Sequence, residues 1–182
     1  QARGYPARKL EPDAWAEENA RLIGEEHIIG LCQGRMEFGP RSLGNRSIIG
    51  DARSSKMQSI MNLKIKYRES FRPFAPSCLV ERASEFFDID RPSPYMLLVA
   101  QVKEERCTRN ASTTQPIRER INERRSDVPA ITHVDYSARV QTVSAETNAP
   151  FYNIIKAFEK RTGYGIIINT SFNVRGEPIV CT

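Results

Sequence analysis

Histidine is almost missing from this chain: His27 and His133 are the only two, and neither stands in a spacing that would hold a metal. Each reads as a surface or packed side chain. None of the four cysteines, Cys32, Cys78, Cys107 and Cys181, belongs to a CxxC pair, so the usual zinc and dithiol redox motifs are excluded. With Cys32 and Cys78 inside apolar runs, they read as reduced thiols of a cytoplasmic protein. No apolar run approaches the length of a membrane span, and no basic start leads into an apolar stretch as in a signal peptide. Neither GxxxxGK[ST] nor GxGxxG occurs, which removes the standard nucleotide loops. A Ser-His-Asp set and a paired-carboxylate arrangement are missing too. The chain starts on Gln1 rather than Met and reads as a fragment or trimmed form of a longer polypeptide.

Acidic residues are scarce where basic ones crowd. Between Gly34 and Arg72, nine basic residues (Arg35, Arg41, Arg46, Arg53, Lys56, Lys64, Lys66, Arg68 and Arg72) face three acidic ones (Glu37, Asp51 and Glu69). That segment carries +6 and the remainder −1, within a total of +5. A local excess implies an anionic ligand, either a small phosphate compound or a nucleic-acid backbone.

The periodicities alternate between strand and helix without internal repeats, which predicts one mixed α/β domain over 1–182. Asp13 is expected to cap a helix ending near Gly24. Ile28 to Cys32 reads as a buried strand and Ser47 to Gly50 as a short second one. Ser54 or Ser55 starts a helix ending near Lys64. Phe74 to Val80 is a candidate strand, and Glu81 to Phe87 a short helix. Tyr95 to Val102 reads as the clearest strand, with others over Val128 to Val134 and Arg139 to Val143. Residues 103–127 are rich in charged and polar types and predict an exposed excursion with a helical turn around Ile117 to Arg124. Asn148, Pro150 and Gly163 bracket the last helix as cap, first-turn residue and stop. The apolar run Gly165 to Ile168 then delivers Asn169.

Three stretches carry the chemistry. In Gly39-Pro40-Arg41-Ser42-Leu43-Gly44-Asn45-Arg46, the glycines allow backbone angles closed to other residues, and Arg41 and Arg46 sit on a stiffened platform. Either these arginines pair with carboxylates and pin the loop, or they clamp a phosphate. Local acids are too few to neutralise the cluster, which favours the ligand. In Lys64 to Arg72, an extended chain would put Lys64, Lys66 and Arg68 on one side; a plain solvated edge is the competing account. Asn169-Thr170-Ser171-Phe172-Asn173 follows an isoleucine-rich strand, and ligands gather at the carboxyl ends of strands in open α/β sheets. With no obvious general base, the implied catalysis is positioning and charge neutralisation, as suits attack at phosphorus.

Gly34 to Arg46, Asn62 to Pro76, Asp135 to Val143 and Ile168 to Cys181 together resemble the carboxyl-terminal domain of the O-carbamoyltransferases of antibiotic and nodulation-factor biosynthesis. The resemblance implies a YrdC-like fold, a twisted open mixed sheet with flanking helices and a basic concave surface. It implies ATP and carbamoyl phosphate as ligands and carbamoyl-adenylate as product. An amino-terminal domain of the same polypeptide, absent here together with its histidine-bound metal, would then move the carbamoyl group to a hydroxyl. Carried over by motif, Lys66 and Arg72 fall in the catalytic role. Arg41, Arg46, Lys66, Arg72, Arg139, Asn169 and Ser171 fall among the ligands of ATP or carbamoyl phosphate, with Arg46, Lys64 and Arg68 the weaker matches. ATP is expected with magnesium, as for polyphosphates generally, and no metal held by protein groups is implied. The family continues past Thr182, so the domain is expected to be truncated at its C-terminus. Two rival readings use the same features. One is an RNA-binding module on the basic surface, disfavoured because only Phe38, Tyr67, Phe71 and Phe74 are there to stack bases. The other is a domain that only packs against its missing neighbour.

Overall fold

The computed structural model of the protein describes residues 4–108 and 123–182. Six strands form one open mixed sheet: β1 (Ile29–Cys32), β2 (Arg46–Gly50), β3 (Ala75–Leu79), β4 (Leu98–Gln101), β5 (Ser137–Val143) and β6 (Ile166–Ser171), in the order β1-β2-β6-β3-β5-β4. The β3–β5 pair is parallel and the other four pairs are antiparallel. The helices are α1 (Pro12–Gly24), α2 (Met57–Met61), α3 (Ala83–Phe86) and α4 (Ala145–Thr162). This is the mixed α/β class that the alternating pattern predicts.

Strand alternation divides the core between the two faces. Ile48, Cys78, Ile166 and Ile168 join Met57, Met61, Phe74 and Phe86 on one side. Ile49, Leu79, Val143 and Ile167 join Ala20 and Ile23 of α1 and Phe151, Ile154 and Phe158 of α4 on the other. Strands β2 and β3 are buried throughout, so neither alternates between core and solvent as a half-covered strand would. Helix α4 starts earlier than expected: Ser144 is its N-cap, with Oγ accepting from Thr147 N. Asn148 then leaves helical geometry at a kink and caps the stretch that follows, its Oδ1 accepting from Phe151 N at 3.2 Å, and Gly163 ends the helix at φ 80°.

Several expectations need correction. The N-cap of α1 is Glu11, with no side-chain cap bond, and Asp13 lies in the first turn, where its carboxylate meets the positive helix end. Strand β1 lies at the sheet edge and buries only Leu31 of its four residues, so it is not a buried strand. The helix after Ser54 runs past Lys64. Ser54 Oγ accepts from the Lys56 and Met57 amides, α2 makes one short helix, and a π-helical turn continues over Asn62–Lys66. Tyr67 stops it in left-handed geometry at φ 48°. Lys64, Lys66 and Arg68 are therefore not on one side of an extended chain. The strand expected from Tyr95 begins only at Leu98, because Met96 takes φ 55°. Val128 to Val134 is no strand: Pro129 starts a 3-10 turn ending at Ile131. The helical turn expected around Ile117 to Arg124 falls largely outside the described residues. The flanks of that excursion are tied together by Arg106 and Asp127 at 2.6 Å and by pairing of Cys107 with Ser126.

Gly44 shows how the loop before β2 is seated. Its φ is 114°, and a Cβ there would collide with the ring of Phe151. Gly44→Ala is expected to destabilise the protein by about 3 kcal/mol or more, combining backbone strain with overpacking. Chemical denaturation of the two proteins, compared at the midpoint, checks this.

Candidate functional site

The site begins where the apolar cover of one sheet face stops. On β6, Ile167 lies under the helices and Asn169, two residues on, shares its face. On β5, Val143 packs in the same cluster while Gln141 and Arg139 follow on that face toward the other end. The segment Pro40–Asn45 lies over these polar positions. Gln141 Nε2 donates to Leu43 O at 2.9 Å, and Asn169 Nδ2 donates to Ser42 O at 3.0 Å and to Gln141 Oε1 at 2.8 Å. Ser77 Oγ donates to the same Gln141 oxygen at 2.5 Å. Because Leu43 O requires a donor, the orientation of Gln141 is fixed, and with it that of Asn169. Among the described residues, Asn169 Oδ1 is thereby left without a partner, although Asn169 is only 1% exposed.

Internal bonds brace the loop further. Glu37 Oε1 accepts from the Leu43 and Asn45 amides at 2.7 and 2.8 Å, and Gln33 Nε2 donates to Gly44 O at 2.8 Å. Arg46 is one of the braces. Its buried guanidinium donates to the carbonyls of Gln33, Gly34, Asn45 and Cys181. This positively charged group, counted among the ligand candidates, thus has its donors committed to the chain itself and lines neither of the hollows described next.

A cavity of about 420 Å³ opens beneath the loop. Arg41, Ser42, Arg68, Arg72, Arg139, Asn169, Thr170 and Ser171 line its polar side, and Phe74, Met96, Val99 and His133 stand among the remaining walls. Five of the seven binding candidates therefore meet in one hollow: Arg41, Arg72, Arg139, Asn169 and Ser171. Among the described residues, no carboxylate pairs with Arg41, Arg68, Arg72 or Arg139. Among those residues, too, the buried Nε atoms of Arg41 and Arg139 have no partner, nor does Ser42 Oγ. Burial, reinforced by Arg41, pulls the Arg139 guanidinium below the usual arginine range. Unneutralised guanidiniums in a concave, half-dry site are the chemistry of an oxyanion receptor.

The segment carrying Arg68 and Arg72 is held by Asn62. This fully buried amide donates to Ser70 O and Arg72 O at 3.0 and 2.8 Å and accepts from Arg68 Nε through Oδ1. Arg68 also stacks over Phe74, 4.6 Å from the ring centre. Burial and then the charge of Arg72 bring Arg68 down to about 10.

A second hollow of about 300 Å³ adjoins the first and shares Arg68, Arg72, Thr170 and Ser171 with it. Lys66 lines this one, not the first. Its ammonium donates to Ser171 O at 2.5 Å, Asn173 Oδ1 at 2.8 Å, Asn173 O at 2.9 Å and Ser171 Oγ at 3.2 Å. Burial, with the nearby charge of Arg68, pushes Lys66 down to about 8. Lys64 is exposed and lines neither hollow.

Sequence reading gave no site role to Asn62, Gln141 or His133. A lone amide carries no local signal, since its use depends on which distant carbonyls the fold brings near. His133 borders the arginine cavity, and burial, reinforced by Arg139 and opposed by Asp135, lowers its pKa.

Comparison with known proteins gives this site a family. Residues 20–182 match the family described as carbamoyltransferase C-terminus, and the chain belongs to that family. It is 42% identical to nodulation protein NolO of Bradyrhizobium diazoefficiens over 96% of this chain and 31% of that protein. It is 37% identical to the 3'-hydroxymethylcephem-O-carbamoyltransferase of Streptomyces clavuligerus, over 84% of this chain and 25% of that enzyme. An uncharacterised Synechocystis protein is 54% identical over 97% of this chain and 30% of its own length. The chain thus spans a third or less of the relatives it matches. No helix among the described residues is long and apolar enough to cross a membrane.

Proposed function

We propose that this domain forms carbamoyl-adenylate from ATP and carbamoyl phosphate, as the half-reaction of an O-carbamoyltransferase. Water splits carbamoyl phosphate into carbamate and phosphate. A carbamate oxygen then bonds to the α-phosphorus of ATP, the bond from that phosphorus to the bridging oxygen breaks, and pyrophosphate leaves with the electron pair. ATP enters with its magnesium. Arg41, Arg72 and Arg139 hold the phosphoryl oxygens and offset the charge that builds on them, and Arg68 extends that field. The carbamoyl group then passes to a hydroxyl in an amino-terminal region of the size that the longer relatives have.

The observation that carries this reading is the meeting of unpaired guanidiniums with an unpartnered amide oxygen, Asn169 Oδ1, around one cavity. A ligand suited to it brings anionic oxygens and an N–H or O–H donor together, which carbamoyl phosphate does. The test is ATP–pyrophosphate exchange by the purified chain. Exchange is expected with carbamoyl phosphate and to fall by about 100-fold or more with acetyl phosphate, whose methyl leaves the amide oxygen unpaired. Equal exchange with both, or none with either, contradicts the reading.

A further inference from the structure

We infer that Lys66 is a positioning residue: its ammonium builds the turn from Ser171 to Asn173 and so sets the wall shared by the two hollows. This rests on the anion-binding reading above, but its geometry stands apart from any ligand. An ammonium has three donors. Here all of them are taken by four oxygens from two residues of one turn, Ser171 and Asn173. Ser171 Oγ also donates to Asn173 Oδ1 at 2.6 Å, and Asn173 Nδ2 donates onward to Glu177 O at 2.8 Å. One cation therefore organises the chain from the end of β6 to Glu177. The π-helical turn is what aims it there. Lys66 is 7% exposed, while Lys64, two residues earlier, stands in solvent.

These acceptors are neutral, so the ammonium is hydrogen-bonded but not charge-balanced. Arg68, Arg72 and Arg175 line the hollow beside it, with Glu69 as the one carboxylate among the lining residues. An anion arriving there restores the balance and favours the protonated lysine. Between the lowered lysine pKa in the free protein and the higher one in the complex, binding takes up a proton. Affinity is therefore full below about pH 8 and declines above it, by up to tenfold per unit of pH.

Two measurements on the full chain decide the matter. The first needs no ligand: amide hydrogen exchange at Phe172 and Asn173, whose amides donate to Arg46 O and Ser171 O. Lys66→Met and Asn173→Ala are each expected to speed it about tenfold or more, through local opening. The second is calorimetric titration with ATP. Each single variant is expected to bind at least about tenfold more weakly, and the double variant no worse than the weaker single, since both act through one turn. The decline above pH 8 should be present in the parent protein and gone in Lys66→Met. The inference is overturned if exchange is unchanged in Lys66→Met. It is also overturned if Asn173→Ala binds ATP normally while Lys66→Met does not, the pattern of a lysine that touches the anion directly. If the parent chain binds no ATP at all, the anion reading fails, and the exchange arm still decides the role of Lys66.

Discussion

Replacing Arg72 with alanine is expected to lower carbamoyl-phosphate-dependent pyrophosphate exchange by about 100- to 1000-fold, the loss typical of removing one donor from a developing phosphoryl charge. Arg72 is well suited to this test because, among the described residues, no hydrogen bond or ion pair engages its guanidinium. The side chain is exposed, and its backbone carbonyl, not its head group, is the part held by Asn62. Its melting temperature should therefore stay close to that of the parent, since surface changes of this kind move stability by about 0.5 kcal/mol or less. Arg41→Ala should lose a similar factor. Unchanged exchange in both variants refutes the assignment of the cavity arginines to phosphate binding.

Arg46→Ala is expected to fail in the opposite way, by unfolding. Four carbonyls share this guanidinium, one of them Cys181 O from the far end of the chain. Removing it strands buried acceptors in the loop that carries Arg41. The cost should be about 3–5 kcal/mol, because unsatisfied buried groups lose their full desolvation penalty. For a domain of this size that is about 6–20 °C in melting temperature. Thermal unfolding followed by circular dichroism measures it directly. Ordinary stability combined with a large loss of ATP affinity would show that Arg46 serves the ligand after all.

The contrast between these two arginines shows how much a sequence discloses. That a basic, glycine-rich loop and the Asn169 segment belong together follows from local signals: each comes at the boundary of an apolar strand, and strand ends are where polar groups can be displayed. The structure brings five of the candidates into one cavity on that logic. Whether a given guanidinium faces inward to carbonyls or outward to a hollow is a tertiary fact. Arg46 and Arg41 stand five positions apart, each followed by a serine, and what separates them is the position of the Cys181, Asn45 and Gln33–Gly34 carbonyls. Lys64 to Arg68 alternates, and alternation predicts a two-residue period for Lys66. The backbone there is wound in a π-turn, which no residue in the segment announces. Met96 in left-handed geometry and Pro129 opening a 3-10 turn shortened or removed strands that hydrophobicity alone had extended. Asn62 and Gln141 stayed invisible because their partners lie 8 and 10 residues away in one case and 98 in the other.

The most direct test is a crystal structure of the chain with a non-hydrolysable ATP analogue and carbamoyl phosphate. The account predicts phosphate oxygens within about 3 Å of guanidinium nitrogens of Arg41, Arg72 and Arg139, and a ligand N–H donating to Asn169 Oδ1. Density for the phosphates elsewhere on the protein, with the three guanidiniums left in solvent, would contradict it.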